Sequence, residues 1–214
     1  MINILVFLVA QMKLEFMYSH LALFYPANPM FMPLQLISHM FMHAPLGSKL
    51  GLFHILFNMF GLFSLGLPLE HQWGPKKFLF FYLFTGLGAA ALHIISLAAI
   101  IHSATGTFTP TYEMLSEAPA AASAYFTNTV GASGAIFGIF AAFAMLFPDA
   151  EMMVMFIPVP IKAKYLMIGY GLVELYFGLA MYDGDNVAHF AHLGGALFGF
   201  ILVKLWSRNR FQKY

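Results

Sequence analysis

The sequence predicts an all-α polytopic membrane protein, and three observations carry that expectation. Of 214 residues, 61% are hydrophobic and 9% charged, against roughly 45–50% apolar and about 25% charged in an ordinary soluble domain. The apolar residues gather in runs of helix length. The basic residues cluster in alternate connections between those runs, the bias that orients membrane proteins. A hydrocarbon core about 30 Å thick takes roughly 20 apolar residues per helix, so the chain has room for about six spans and reads as one polytopic domain over residues 1–214.

The runs fall at about 1–24, 50–69, 78–101, 131–147, 164–182 and 189–206, followed by a polar tail over 207–214. All are expected to be helical, because lipid leaves open backbone groups unsatisfied. The first run, opening MINILVFLVAQM, has neither the basic flank nor the cleavage site of a secretory signal and reads as a span. Gln11, Lys13 and Glu15 interrupt it. A Pro- and His-rich connection precedes the second span, and a second long one, HSATGTFTPTYEMLSEAPAAASAYFTNT, precedes the fourth. The segment FIPVPIKAKY (156–165), two Pro-broken apolar turns joined to Lys162 and Lys164, is expected to lie flat on the membrane surface. Eight of the ten basic residues (Lys76, Lys77, Lys162, Lys164, Lys204, Arg208, Arg210 and Lys213) share one side of this arrangement. That side is expected to be cytoplasmic, with both termini on it.

Several chemistries are excluded or disfavoured. Without cysteine there are no disulfides, thiolate nucleophiles or cysteine metal sites. A net charge of +1, with no basic run outside the tail, points to no nucleic-acid partner. The H-E-x-x-H pattern is missing, and His189 and His192, one turn apart, lack an evident third ligand, so neither a metal nor a cofactor is expected.

Polar residues inside spans are costly and mark function. His54 and Asn58 are spaced i, i+4 on one face of the second span. Ser133 starts the fourth span in GASGAIFG, and His192 starts the sixth in AHLGGALFG. The topology puts all of these at similar depth. Gly134 and Gly138, and Gly195 and Gly199, form small-xxx-small faces that allow close backbone approach. A serine hydroxyl needs a neighbouring base to act as a nucleophile, and histidine has the suitable pKa. Attack on an amide builds an oxyanion that needs aimed donors, for which His54, Asn58 and the Ser133 amide at a helix N-terminus are available. Taken singly, each residue also reads as packing; their coincidence at one depth favours acyl transfer. Glu174, ionisable within the fifth span, reads as an interhelical hydrogen-bond partner, as a carboxyl kept neutral, or as a proton-path element. Asp183 and Asp185 read as solvated loop residues or as an acid that orients His192.

Together, His54-xxx-Asn58, Gly131-Ala132-Ser133-Gly134 and Ala191-His192-Leu193-Gly194-Gly195 resemble the rhomboid family of intramembrane serine proteases, in order across most of the chain. The resemblance implies a six-helix rhomboid-like bundle in which Ser133 is the nucleophile and His192 the base, a dyad without a third acid. It implies an oxyanion hole of His54, Asn58 and the Ser133 amide, with Phe137 stacked on the imidazole. Gly131, Gly134, Gly138, Gly195, Gly199 and Glu70 match supporting positions, and His39 and His43 match the first outer loop. The substrates implied are transmembrane proteins met within the lipid bilayer, and the location a bacterial cytoplasmic membrane. One departure is Leu34-Gln35, which stands where many members carry Trp-Arg. Two rival readings are a non-catalytic rhomboid-like protein that binds membrane segments, and a transporter using Glu174, Glu70 and the histidines. The first is disfavoured because both Ser133 and His192 are present, the second because no inverted repeat is evident.

Overall fold

The computed structural model describes residues 2–49, 51–154, 157–180 and 188–211. The helices in chain order are α1 (Ile2–Met12), α2 (Leu14–Leu21), α3 (Gln35–Ser38) running into a 3-10 turn (His39–Phe41), α4 (Gly51–Trp73), α5 (Pro75–Thr105), α6 (Tyr112–Glu117), α7 (Pro119–Phe126) and α8 (Ser133–Leu146). A hairpin of β1 (Glu151–Val154) and β2 (Ile157–Lys162) leads to α9 (Ala163–Ala180) and α10 (His189–Phe211). The protein is all-α apart from that hairpin, as the composition predicts. Among the described residues, three helices are long and apolar enough to cross a membrane, over Gly51–Trp73, Pro75–Thr105 and His189–Ser207; Ile2–Met12 and Ser133–Leu146 are shorter apolar helices.

Two expected elements take a different form. The run over 1–24 divides at Lys13, whose backbone leaves the helical region (φ −135°, ψ 49°), so α1 and α2 are separate helices where a single span was expected. Flat Pro-broken turns were expected over 156–165; residues 157–162 instead pair antiparallel with 151–154, Glu151 opposite Lys162 and Met153 opposite Pro160. At its base Asp149 accepts hydrogen bonds from Lys162 (3.1 Å) and Lys164 (2.8 Å). Residues 155, 156 and 181–187, with Asp183 and Asp185 among them, lie outside the described residues, as do 212–214 of the tail.

The chain forms two compact units, residues 1–58 with 90–132 and residues 59–89 with 133–214, so the division falls inside α4 and α5. In the first unit, one apolar cluster gathers Tyr25, Ile101, Leu115, Ala121, Ala124 and Tyr125. Polar groups stitch the connection after α2 to α7 and the segment that follows it. Asn28 donates to the Tyr125 carbonyl (2.8 Å), the Tyr125 hydroxyl donates to the Ala27 carbonyl (2.6 Å), and Leu23 and Thr129 exchange backbone hydrogen bonds. His93 holds the Thr129 hydroxyl at 2.7 Å. The chain approaching Ser133 is thereby pinned.

Gln35, at the departure from the family pattern, is fully buried. Its amide donates to the carbonyls of Met30 (2.8 Å) and Ser19 (3.3 Å), and its oxygen accepts from the Phe24 amide (3.3 Å). Three otherwise orphaned backbone groups are satisfied by one side chain, so this residue organises the loop.

The same loop buries two histidines. His39 is 5% exposed and His43 0%, and burial pushes both imidazoles down from 6.5 to about 4, with the nearby His54 a second cause at His43. In the unfolded chain both would protonate near 6.5. Stability from these groups is therefore complete above about pH 6.5 and is lost as pH falls toward 4, by about 3 kcal/mol for each. The thermal midpoint of the purified protein should hold between pH 8 and 7 and drop below pH 6. Asparagine at position 43 should flatten that slope, and an unchanged slope would contradict the account.

In the second unit, α8 and α10 cross at their glycines. A Cβ on Gly195 would overlap the Gly134 carbonyl oxygen, and one on Gly199 would come within 2.6 Å of the Gly138 oxygen. A third helix closes on the same faces: a Cβ on Gly134 or Gly138 would lie 2.5 Å from the Cβ of Ala89 or of Thr85, both in α5. At the far end of α10, Trp206 packs edge-on to Trp73 (5.2 Å) beneath the Lys77 ammonium, which sits 3.9 Å from its ring centre.

Candidate active site

Gly131 adopts φ +133°, a region that side-chain-bearing residues rarely enter, and its amide donates to the His39 carbonyl (3.0 Å). Two residues later Ser133 opens α8. Its backbone N–H is thus one of the donors that a helix N-terminus leaves without an intrahelical acceptor.

His192 lies in the first turn of α10, and its Nε2 is 2.8 Å from Ser133 Oγ. For the hydroxyl to donate, Nε2 must carry the lone pair, which puts the ring proton on Nδ1. Phe137, one turn into α8, lies flat on the imidazole with centroids 4.3 Å apart and planes 4° apart, and Tyr170 of α9 meets Phe137 edge-on at 6.4 Å. The aromatic face fixes the rotation of the imidazole. The glycine crossing is what permits this: a Cβ at Gly195 would overlap the Gly134 carbonyl oxygen and force α8 and α10 apart.

Glu174 of α9 is 8% exposed. Its Oε2 is 2.6 Å from His189 Nδ1, and its Oε1 is 3.0 Å from His192 Nδ1. The second contact has ion-pair distance, but the imidazole N–H does not aim along it and no hydrogen bond forms there. Among the readings open for Glu174, the interhelical partner is the one the geometry matches. No cluster of three or more His, Asp or Glu among the described residues is arranged to hold a metal ion.

Two further expected residues lie in the first unit. His54 Nδ1 accepts from the Ala44 amide at 3.1 Å; a backbone N–H only donates, so the neutral ring carries its proton on Nε2 and presents a donor there. Asn58 is 6% exposed and donates one amide N–H to the His54 carbonyl (2.7 Å). His43 lies beside His54, ring centres 5.3 Å apart. Glu70 is half-buried near the end of α4, in the second unit.

Sequence reasoning missed the reach of Glu174 to His192, and the part of Thr85 and Ala89 in receiving the glycine faces. A carboxyl in an apolar span was the visible signal for the first. Small residues along the third run, in TGLGAAA, were the signal for the second.

A family model described as Rhomboid domain matches residues 31–209. RHOMBOID-like protein 12, mitochondrial, of Arabidopsis thaliana is 30% identical over 180 residues, covering 82% of this chain and 46% of that protein. Rhomboid protease AarA of Providencia stuartii is 31% identical over 155 residues, 70% of this chain and 49% of that one. Presenilin-associated rhomboid-like protein, mitochondrial, of Rattus norvegicus is 29% identical over 161 residues, 71% of this chain and 34% of that one. The chain spans about half, or less, of the length of these relatives.

Proposed function

The chain belongs to the rhomboid family, and from that premise we propose that it is an intramembrane serine endopeptidase, with Ser133 the nucleophile and His192 the general base. The observation that carries the reading is the 2.8 Å contact between Ser133 Oγ and His192 Nε2 under the Phe137 ring. Ser133 Oγ bonds to the scissile carbonyl carbon as its proton passes to Nε2 and the C=O π pair moves onto oxygen. Collapse expels the amine, which takes the proton from Nε2. Water then repeats the sequence on the acyl-enzyme, again through His192.

The Ser133 amide, at the start of α8, suits the developing oxyanion. On the family pattern His54 and Asn58 are the further donors, and the Nε2–H of His54 and the second amide N–H of Asn58 have the right chemistry. Asn58→Ala should lower kcat by about 10²–10³ with KM little changed, the usual cost of one oxyanion donor; a steady-state assay in which kcat stays within threefold of wild type would remove Asn58 from the role.

The protein is an integral membrane protein, and its substrates on this reading are membrane-spanning segments. An intact helix shields its carbonyls, so segments with small or helix-breaking residues near the cut should be preferred. Only Ala163 and Glu174 of α9 are buried, which supports sideways admission of a substrate past that helix. The side bias of lysine and arginine supports an orientation with both termini on the same, positively biased side of the membrane. The non-catalytic reading leaves the serine–histidine contact without a purpose. A serine-directed fluorophosphonate separates the two: it should label Ser133 in the wild type and not in Ser133→Ala, and a folded wild type that resists labelling would count against the protease.

A further inference from the structure

Glu174 is the one carboxylate among the described residues that meets the dyad histidine, and nothing in the dyad scheme uses it. It is buried in a helix otherwise almost wholly exposed: of α9 only Ala163 shares its burial, while Ile168, Leu172, Val173, Tyr176 and Leu179 face outward. Burying a carboxylate is costly unless its oxygens find donors. Oε2 does so at His189 Nδ1 (2.6 Å), while Oε1 lies at ion-pair distance, 3.0 Å, from His192 Nδ1, and both histidines sit in the first turn of α10.

We propose that Glu174, from the fifth span, is a positioning residue for His192, aligned behind the Ser133–His192 pair. The inference rests on the protease reading above. General-base action at Nε2 requires the ring proton at Nδ1, and an acceptor beside Nδ1 selects that tautomer. When His192 takes the Ser133 proton, the ring becomes a cation whose Nδ1–H still faces Oε1, so the developing charge is met by a fixed carboxylate. The Nδ1 proton stays on the ring; the carboxylate accepts a hydrogen bond and no proton. The 3.0 Å contact leaves room to align into a hydrogen bond as the imidazolium forms. His189 holds the other oxygen and keeps the carboxylate from rotating away, and Phe177 stacks on His189 at 5.7 Å.

A purely structural role has different consequences. If Glu174 only ties α9 to α10, its loss loosens the fifth span, changes stability and substrate admission, and leaves the reactivity of Ser133 toward a small probe intact. If it positions His192, its loss slows the chemistry for small probe and large substrate alike.

The test uses the full chain reconstituted in liposomes, with wild type, Ser133→Ala, Glu174→Gln and Glu174→Asp measured side by side. The readouts are kcat and KM on a fluorogenic transmembrane substrate, the rate of fluorophosphonate labelling at Ser133, and the thermal midpoint. Glutamine keeps the size of the side chain and an acceptor oxygen but not the charge. Glu174→Gln should lower kcat by about 10²–10⁴, up to the roughly 10⁴ lost when the acid of a serine triad is neutralised. KM should stay within about twofold, labelling should slow in parallel, and Glu174→Asp should recover part of the loss. The inference is overturned if Glu174→Gln keeps kcat within threefold, or if its activity falls with the thermal midpoint or KM while the labelling rate holds. A wild type no more active than Ser133→Ala would instead overturn the protease reading on which the inference stands.

Discussion

His192→Ala should reduce kcat on a transmembrane substrate by about 10⁴–10⁶ while leaving the protein folded and membrane-inserted. The imidazole is the only base within hydrogen-bond distance of Ser133 Oγ among the described residues. Without it the hydroxyl keeps its proton at neutral pH and attacks no faster than a solvent alcohol. Truncation also empties the face of Phe137, which then keeps Tyr170 as its one ring partner among the described residues, so a modest fall in thermal midpoint should accompany the kinetic loss. Groups that act as one unit are not additive. His192→Ala, Ser133→Ala and the double variant should therefore share one floor of activity, set by substrate binding and the oxyanion donors. A double variant far below both singles would mean that the two residues act independently.

Gly195→Val should be nearly as damaging by a different route. A Cβ at Gly195 would overlap the Gly134 carbonyl oxygen and come within 3.4 Å of the Gly138 amide nitrogen. The obstructing atoms are backbone, so no rotamer change relieves them and α8 must part from α10. Overpacking of this kind costs about 1–3 kcal/mol where side chains can give, and more is expected here. The separation acts directly on the 2.8 Å Ser133–His192 contact, and a displacement of about 1 Å costs roughly 10²-fold in rate. Activity should drop at least that far, with a lower thermal midpoint. Gly169 and Gly171 of α9 have nothing within 4 Å of an added Cβ. Alanine there should leave activity unchanged and stabilise the helix by up to about 1 kcal/mol. Equal tolerance at positions 195 and 169 would refute the close-crossing argument.

These effects trace to features that are legible in the sequence to different degrees. The helices of the apolar runs are legible because lipid imposes a length and a backbone pattern on any span. The Ser133 and His192 contact is legible because the glycine pairs constrain what meets at a crossing, while the place of Phe137 on the imidazole is legible only through the resemblance to the rhomboid family. The break at Lys13 is less so: polar residues interrupt the first run visibly, but whether the helix tilts or divides depends on what it packs against. Gln35 illustrates the harder case. As a letter it is only a departure from Trp-Arg; its three hydrogen bonds go to the backbone of Ser19, Phe24 and Met30, and such folded-chain contacts leave no periodic trace. The hairpin over 151–162 was hidden because two prolines argue against a strand, yet Pro158 and Pro160 are accommodated in β2 of a two-stranded ribbon, where each strand has an open edge. Glu174 was visible as an anomaly, but its partners were not, since which face of α9 meets α10 is set by tertiary packing.

The central claim is that Ser133 and His192 form a working nucleophile and base inside the membrane. Purified protein in liposomes, mixed with a fluorogenic substrate carrying one transmembrane segment, tests it directly. Wild type should release the fluorophore with a single cut at or near that segment, and Ser133→Ala should show none above background. Equal release by wild type and Ser133→Ala, with both proteins folded, would contradict the account.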